Sequence, residues 1–224
     1  MGHAVRDVLG EAAAVAVSPF AIVAIILILA TPRGRLNGQL FTLGWLLGLA
    51  GLGAIMLAIG GTGSASAHHP ATWVGGLKLA LGALLVLFGV REWRRRPKDP
   101  SQAQLPKWMA AIDRFTPPKI LGLGLALSAA NAKNAPLTIA VGASISSAGI
   151  GVPQQIATLA IFVIIASLGV LAPLTVYLIM GERAKHVLSN WREWAVRNNI
   201  AVMAVLFFVL GLKLIGDGIS IFAT

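Results

Sequence analysis

The residues of this 224-residue chain best placed to do chemistry are polar groups set inside apolar runs. The segment Asn131-Ala132-Lys133-Asn134-Ala135-Pro136 puts two amides, an ammonium and a proline into one such run, and Ser18-Pro19 interrupts another made of Ala, Val and Ile. Proline donates no backbone hydrogen bond and disturbs the preceding turn, while a serine hydroxyl can bond a freed carbonyl. Unpaired polar groups are costly in hydrocarbon and usually face an interior cavity or one another. The chemistry this permits is recognition of a polar or anionic group inside a membrane, not bond breaking. Ser18, Pro19, Asn131, Lys133, Asn134 and Pro136 are therefore the candidate substrate-binding residues. A plain kink is the alternative for Ser18-Pro19.

Four more charges fall within or at the edge of apolar runs: Glu11, Lys78, Lys213 and Asp217. Lys213 and Asp217 stand i, i+4 on one helical face and can pair, which lowers the cost of burying either. Lys78 lies near the end of its run, from which its stem could snorkel to the interface. Glu11 and Asp217 are the only acids so placed and are the candidates for carrying a coupled proton. Catalysis is not expected. The chain has no Cys and four scattered His, and neither a nucleophile with its base nor a metal cluster can be assembled from its polar residues. No G-x-x-x-x-G-K-[ST] stretch is present to couple ATP, and no cofactor is expected.

The elements that must position these groups follow from composition. Apolar residues make up 57%, charged ones only 12%, and the mean hydropathy is +0.81. This excludes a soluble domain. Six apolar stretches appear, at about Leu9 to Ala30, Leu40 to Gly60, Thr72 to Val90, Ile120 to Ser144, Ile156 to Met180 and Ile200 to Phe222. Each is long enough for a helix to cross ~30 Å of hydrocarbon. The expected fold is an all-α integral membrane protein of six transmembrane helices in a single domain. The net charge of +10 does not point to nucleic acid, because 14 of the 18 Lys and Arg lie in the first, third and fifth loops. The positive-inside rule then puts those loops in the cytoplasm and both termini outside.

Trp93, Trp108, Trp191 and Trp194 lie in the basic loops, at the depth of lipid headgroups. Trp108, Ile112 and Phe115 at i, i+4, i+7 predict a short helix on the inner leaflet, and Leu188, Trp191 and Trp194 predict a second one between Glu182 and Asn198. Gly44 with Gly48, and Gly75, Gly82 and Gly89 at sevenfold spacing, offer faces for close helix packing, within the chain or across a homodimer. Pro173 predicts a kink in the fifth span. Gly76-Leu77-Lys78-Leu79 recurs as Gly211-Leu212-Lys213-Leu214 in spans of opposite direction. This predicts an inverted repeat of three helices each, about 5–90 and 120–224, joined by a cytoplasmic loop over 91–119.

Two segments carry a family resemblance. Ser18-Pro19 followed by Thr31-Pro32-Arg33-Gly34-Arg35-Leu36-Asn37-Gly38 and Phe41-Thr42-Leu43-Gly44-Trp45-Leu46-Leu47-Gly48 is one; Gly122 to Ser128 with Asn131-Ala132-Lys133-Asn134 is the other. Together they resemble the GAP family of actinobacterial membrane proteins, also called Sap or sulfolipid-addressing proteins, within the LysE-like exporter superfamily. The family usually reads Asn-Pro-Lys-Asn at the second site. Here Ala132 replaces that proline and Pro136 follows four residues later, so the break in the fourth helix is expected to be displaced or milder. The resemblance implies export of a lipid or glycolipid to the envelope across a bacterial plasma membrane, with Ser18-Pro19 and Asn131 to Asn134 flanking the path. A LysE-type exporter of amino acids or cations, and a non-transporting subunit of a larger lipid-export machine, are the competing expectations.

Overall fold

The computed structural model describes residues 2–61, 72–95 and 107–223. His68 and His69, and Arg96 and Lys98 of the basic third loop, fall outside them, and the side chains of Asp7 and Trp108 are likewise not described. Among the described residues there are nine α-helices: α1 (Gly2–Ala16), α2 (Pro19–Leu29), α3 (Gly34–Gly61), α4 (Thr72–Arg95), α5 (Pro117–Ala129), α6 (Asn134–Ser146), α7 (Val152–Ala166), α8 (Leu168–Met180) and α9 (Ala184–Ala223). Three of them are long and apolar enough to cross a membrane by themselves, within α3, α4 and α9. Two bent pairs, α1 with α2 at 44° and α7 with α8 at 58°, bring the number of candidate crossings among the described residues to five if each pair is one span. The fourth expected span is α5 followed by α6, two 13-residue helices on either side of a polar break. Large apolar side chains such as Ile55, Leu87, Ile164 and Ile179 point outward, as contact with lipid tails requires. The chain is a membrane-embedded, all-helical protein.

Each break has a local cause. Pro19 at the first turn of α2 cannot donate to the turn before it, and α1 ends at Ala16. In the fourth expected span the chain leaves the helix at Ala130 and re-enters it at Asn134. Pro136 has not displaced this break. It lies in the first turn of α6, where a missing N–H costs nothing. In the fifth expected span the bend lies at Ser167, not at Pro173, which sits inside α8. The Ser167 hydroxyl donates to the Val163 carbonyl at 2.6 Å, a back-bond of the kind that bends helices.

Two expected surface helices take other forms. Lys107–Arg114 is a 3-10 helix packed against α2, with Met109 and Ile112 buried in the core. Residues three apart eclipse in a 3-10 helix, so Met109 joins Ile112 on the buried face. The segment from Glu182 to Asn198 is not separate either, because from Ala184 onward it runs straight into the last span as α9. Leu188 is buried there, while Trp191 and Trp194 are exposed.

The glycine faces are used within the chain. Gly44 and Gly48 lie against Leu121, Leu125 and Ser128. Farther along, Gly53 and Gly60 meet α7 and α6 through Leu159 and Ser146. Thus α3 runs parallel to α5 and then α6. Gly75, Gly82 and Gly89 all face α9, and the order of contacts makes α4 and α9 antiparallel. Gly82 faces Gly211, and Gly75 faces Gly218, so the two backbones touch at two points seven residues apart. A Cβ at Gly82 would lie 2.8 Å from the Gly211 carbonyl oxygen. Gly82→Leu is expected to force α4 from α9 and cost about 2–3 kcal/mol, read as a lower melting temperature in nanodiscs. An unchanged melting temperature would refute this account of the seam.

Candidate functional site

The close approach of α4 and α9 brings the two Gly-Leu-Lys-Leu copies to one place. Lys213 Nζ donates to Glu11 Oε1 at 2.6 Å and to Asp217 Oδ2 at 3.0 Å, and Lys78 Nζ lies 3.9 Å from the same Asp217 oxygen. All four candidate charges therefore form one cluster drawn from α1, α4 and α9. Lys78 does not snorkel outward; its side chain is 14% exposed and faces Asp217. Glu11 is buried and its Oε2 has no partner among the described residues. Two ammonium and two carboxylate groups sum to zero, which makes so dense a cluster tolerable at membrane depth.

The cluster lines a cavity of about 420 Å³, to which Ser144 of α6 and Ser147, the residue that caps its end, are added. Their i, i+3 spacing at the end of an apolar helix was the available sequence signal for these two hydroxyls. The cavity lies at the end of the bundle where α1 and α4 begin and α6 and α9 finish. At that same end, an apolar groove of about 660 Å³ runs between α3 and α7, lined by Ala50, Ala54, Leu57, Ile156, Leu159 and Ala160 among others. The loop from Ser147 to Gly151 joins the element bordering the first to the element bordering the second.

The other candidate residues lie beneath this cavity. Ala14 and Val17 are three and six residues beyond Glu11 on the same strand of chain, about 5–9 Å deeper at 1.5 Å per residue. Lys133 is fully buried, and its ammonium donates to the Ala14 carbonyl at 2.5 Å and the Val17 carbonyl at 2.9 Å. A helix end leaves its last carbonyls without intrahelical partners and carries partial negative charge. The lysine of one break thus caps the carbonyls freed by the other, across 119 and 116 positions of sequence. Among the described residues no carboxylate pairs with it.

The amides serve their own break. Asn131 Oδ1 accepts from the Lys133 N–H at 2.9 Å, shaping the turn that presents the lysine. Asn134 Nδ2 donates to the Leu127 carbonyl at 2.9 Å, covering the end of α5, while its Oδ1 is buried without a partner among the described residues. Ser18, Pro19 and Pro136 are buried beside them. The third bend joins the same region, since Gly169 abuts the Ala16 carbonyl so closely that a Cβ would clash. The structure therefore sorts the candidates into two layers. Glu11, Lys78, Lys213 and Asp217 line an open polar cavity, and Lys133, Asn131 and Asn134 form a closed layer under it.

Comparison of the chain with curated proteins and with solved structures returns no match. The family model described as Sap, sulfolipid-1-addressing protein, matches residues 8–220, nearly the whole chain, and the protein belongs to that family.

Proposed function

We propose that this protein is a carrier that moves an amphiphilic lipid or glycolipid outward across the plasma membrane by alternating access. The observation that carries the reading is the charged cavity and the apolar groove at one end of the bundle. A lipid needs both: polar contacts for its headgroup and an apolar surface for its chains. Lys78 and Lys213 would meet an anionic headgroup there, and the groove between α3 and α7 would hold an acyl chain. Membership of a sulfolipid-addressing family supports this class of substrate.

The mechanism rests on an inverted repeat of six crossings, the fourth being α5 with α6. The packing supports it. Under such a repeat the α3 contact with α5 and α6 has its counterpart in the contact of α7 and α8 with α1 and α2, and both are present. The antiparallel α4 and α9 pair would be its own counterpart, as its matched lysines and glycines suggest. With the basic loops cytoplasmic, the cavity opens outward and the Lys133 layer lies on its cytoplasmic side. Lipid movement, not catalysis, is the activity proposed.

Native mass spectrometry with lipidomics on gently extracted protein tests this, repeated for Lys78→Met. In that variant Lys213 still holds both Glu11 and Asp217, so the fold is kept. The native protein should retain a glycolipid or other anionic lipid, and Lys78→Met should retain at least tenfold less. Bulk phospholipid alone, equal in both samples, would overturn the reading in favour of an amino-acid or cation exporter. A stoichiometric partner protein without such lipid would instead indicate an accessory subunit of an export machine.

A further inference from the structure

Lys133 occupies a position that a substrate ligand would not: it is wholly buried, and both of its side-chain hydrogen bonds are made to backbone carbonyls of the other broken helix. We infer that Lys133 is a positioning residue, the latch that holds the Ser18-Pro19 break shut as the floor of the polar cavity. The inference deepens the carrier reading and rests on it, since a floor matters only if something passes.

Three features make the contact a latch and not a permanent strut. The ammonium has been stripped of water with no carboxylate in exchange among the described residues, so little free energy separates the docked state from an undocked one. The acceptors are the Ala14 carbonyl in the last turn of α1, whose i+4 amide at Ser18 bonds Ala16 instead, and the Val17 carbonyl in the break, so releasing them breaks no intrahelical hydrogen bond of α1. The lysine itself stands on a four-residue non-helical segment, Ala130 to Lys133, that can change its dihedral angles without unwinding α5 or α6. Releasing the ammonium from Ala14 and Val17 frees α1 from the turn before α6, directly beneath Glu11. Water and a headgroup then have a route past Ser18. At this layer the lysine ammonium meets two backbone acceptors of the other half, so one side chain sets whether the break before α6 is docked on the break after α1.

The absence of Cys permits a clean test. Ser18, buried in the layer, is replaced by cysteine, and the rate of reaction with a water-soluble maleimide is measured in nanodiscs with Lys133 present or changed to Met. Thr158→Cys, equally buried in α7, reports any general loosening. The expected result is at least tenfold faster labelling of Ser18→Cys in Lys133→Met, with Thr158→Cys still protected and the melting temperature unchanged. Equal rates with and without Lys133, or both cysteines opening together, would overturn the latch. Should Lys133→Met not accumulate in the membrane, Asn131→Ala, which removes the acceptor that shapes the lysine's turn, must raise Ser18→Cys labelling at least threefold; no rise would overturn the proposal as well. The readout needs no lipid, so a carrier that retains none would sink the transport reading while leaving this result to stand or fall by itself.

Discussion

Lys213→Met is expected to destabilise the protein by about 2 kcal/mol, and Glu11→Gln added to it should recover most of that loss. Removing one member of a buried pair leaves the other as an uncompensated charge, at roughly 3–5 kcal/mol for a wholly buried pair. The smaller figure applies because the Lys213 side chain is 38% exposed, although Glu11, at 5% exposed, would be left as a nearly buried charge. Glu11 Oε1 then joins Oε2 in lacking a partner. Asp217 suffers less, because Lys78 Nζ is already 3.9 Å away and can close on it. Neutralising Glu11 as well removes the stranded charge, and the double variant should melt within a few degrees of the parent, where Lys213→Met alone melts about 4–8 °C lower. Thermal unfolding in nanodiscs decides the matter. A double variant no more stable than Lys213→Met would mean that the pair does not hold α1 to α9.

How far the sequence disclosed this arrangement depends on the range of the interaction. Ser18-Pro19 and Asn131 to Pro136 announced their breaks because a missing N–H and a polar cluster act on the backbone within one or two turns. The glycine spacing of α4 likewise announced a seam, since small residues on one face have one use. What local pattern did not disclose was the partner. Gly211 and Gly218 complete the α4 seam, but only the folded antiparallel pair sets them opposite Gly82 and Gly75. Glu11 meets Lys213 across 202 positions. Ala14 and Val17 enter the site through carbonyl oxygens that every residue possesses, so no residue type marks them. Pro136 and Pro173 misled for a related reason. Proline limits where a helix can run but does not require a bend, and one of the two begins a helix while the other sits inside one. The 58° bend arises at Ser167, whose residue type in a long apolar run carries far less signal.

The same distinction between local fit and long-range role leads to the sharpest functional expectation. Lys133→Met should leave stability within about 1 kcal/mol of the parent yet reduce delivery of lipid to the cell surface at least tenfold. The two charge-assisted hydrogen bonds contribute about 1.5–3 kcal/mol each. Burying an ammonium without a counterion costs several kcal/mol, so the two terms nearly cancel, and methionine fills the space with an unbranched chain of similar length. The Ala14 and Val17 carbonyls lose their donor, which a carbonyl tolerates better than an N–H does. A lysine retained for stability alone would behave in the opposite way, with a melting temperature several degrees lower and transport falling only as far as the folded fraction. The measurement pairs thermal unfolding of purified protein with mass spectrometry of surface-extracted lipid from cells that carry only the variant. Normal surface lipid in Lys133→Met would remove the lysine from the mechanism. A protein that folds as well as the parent and delivers nothing would mean that the buried cation is kept for the motion it governs.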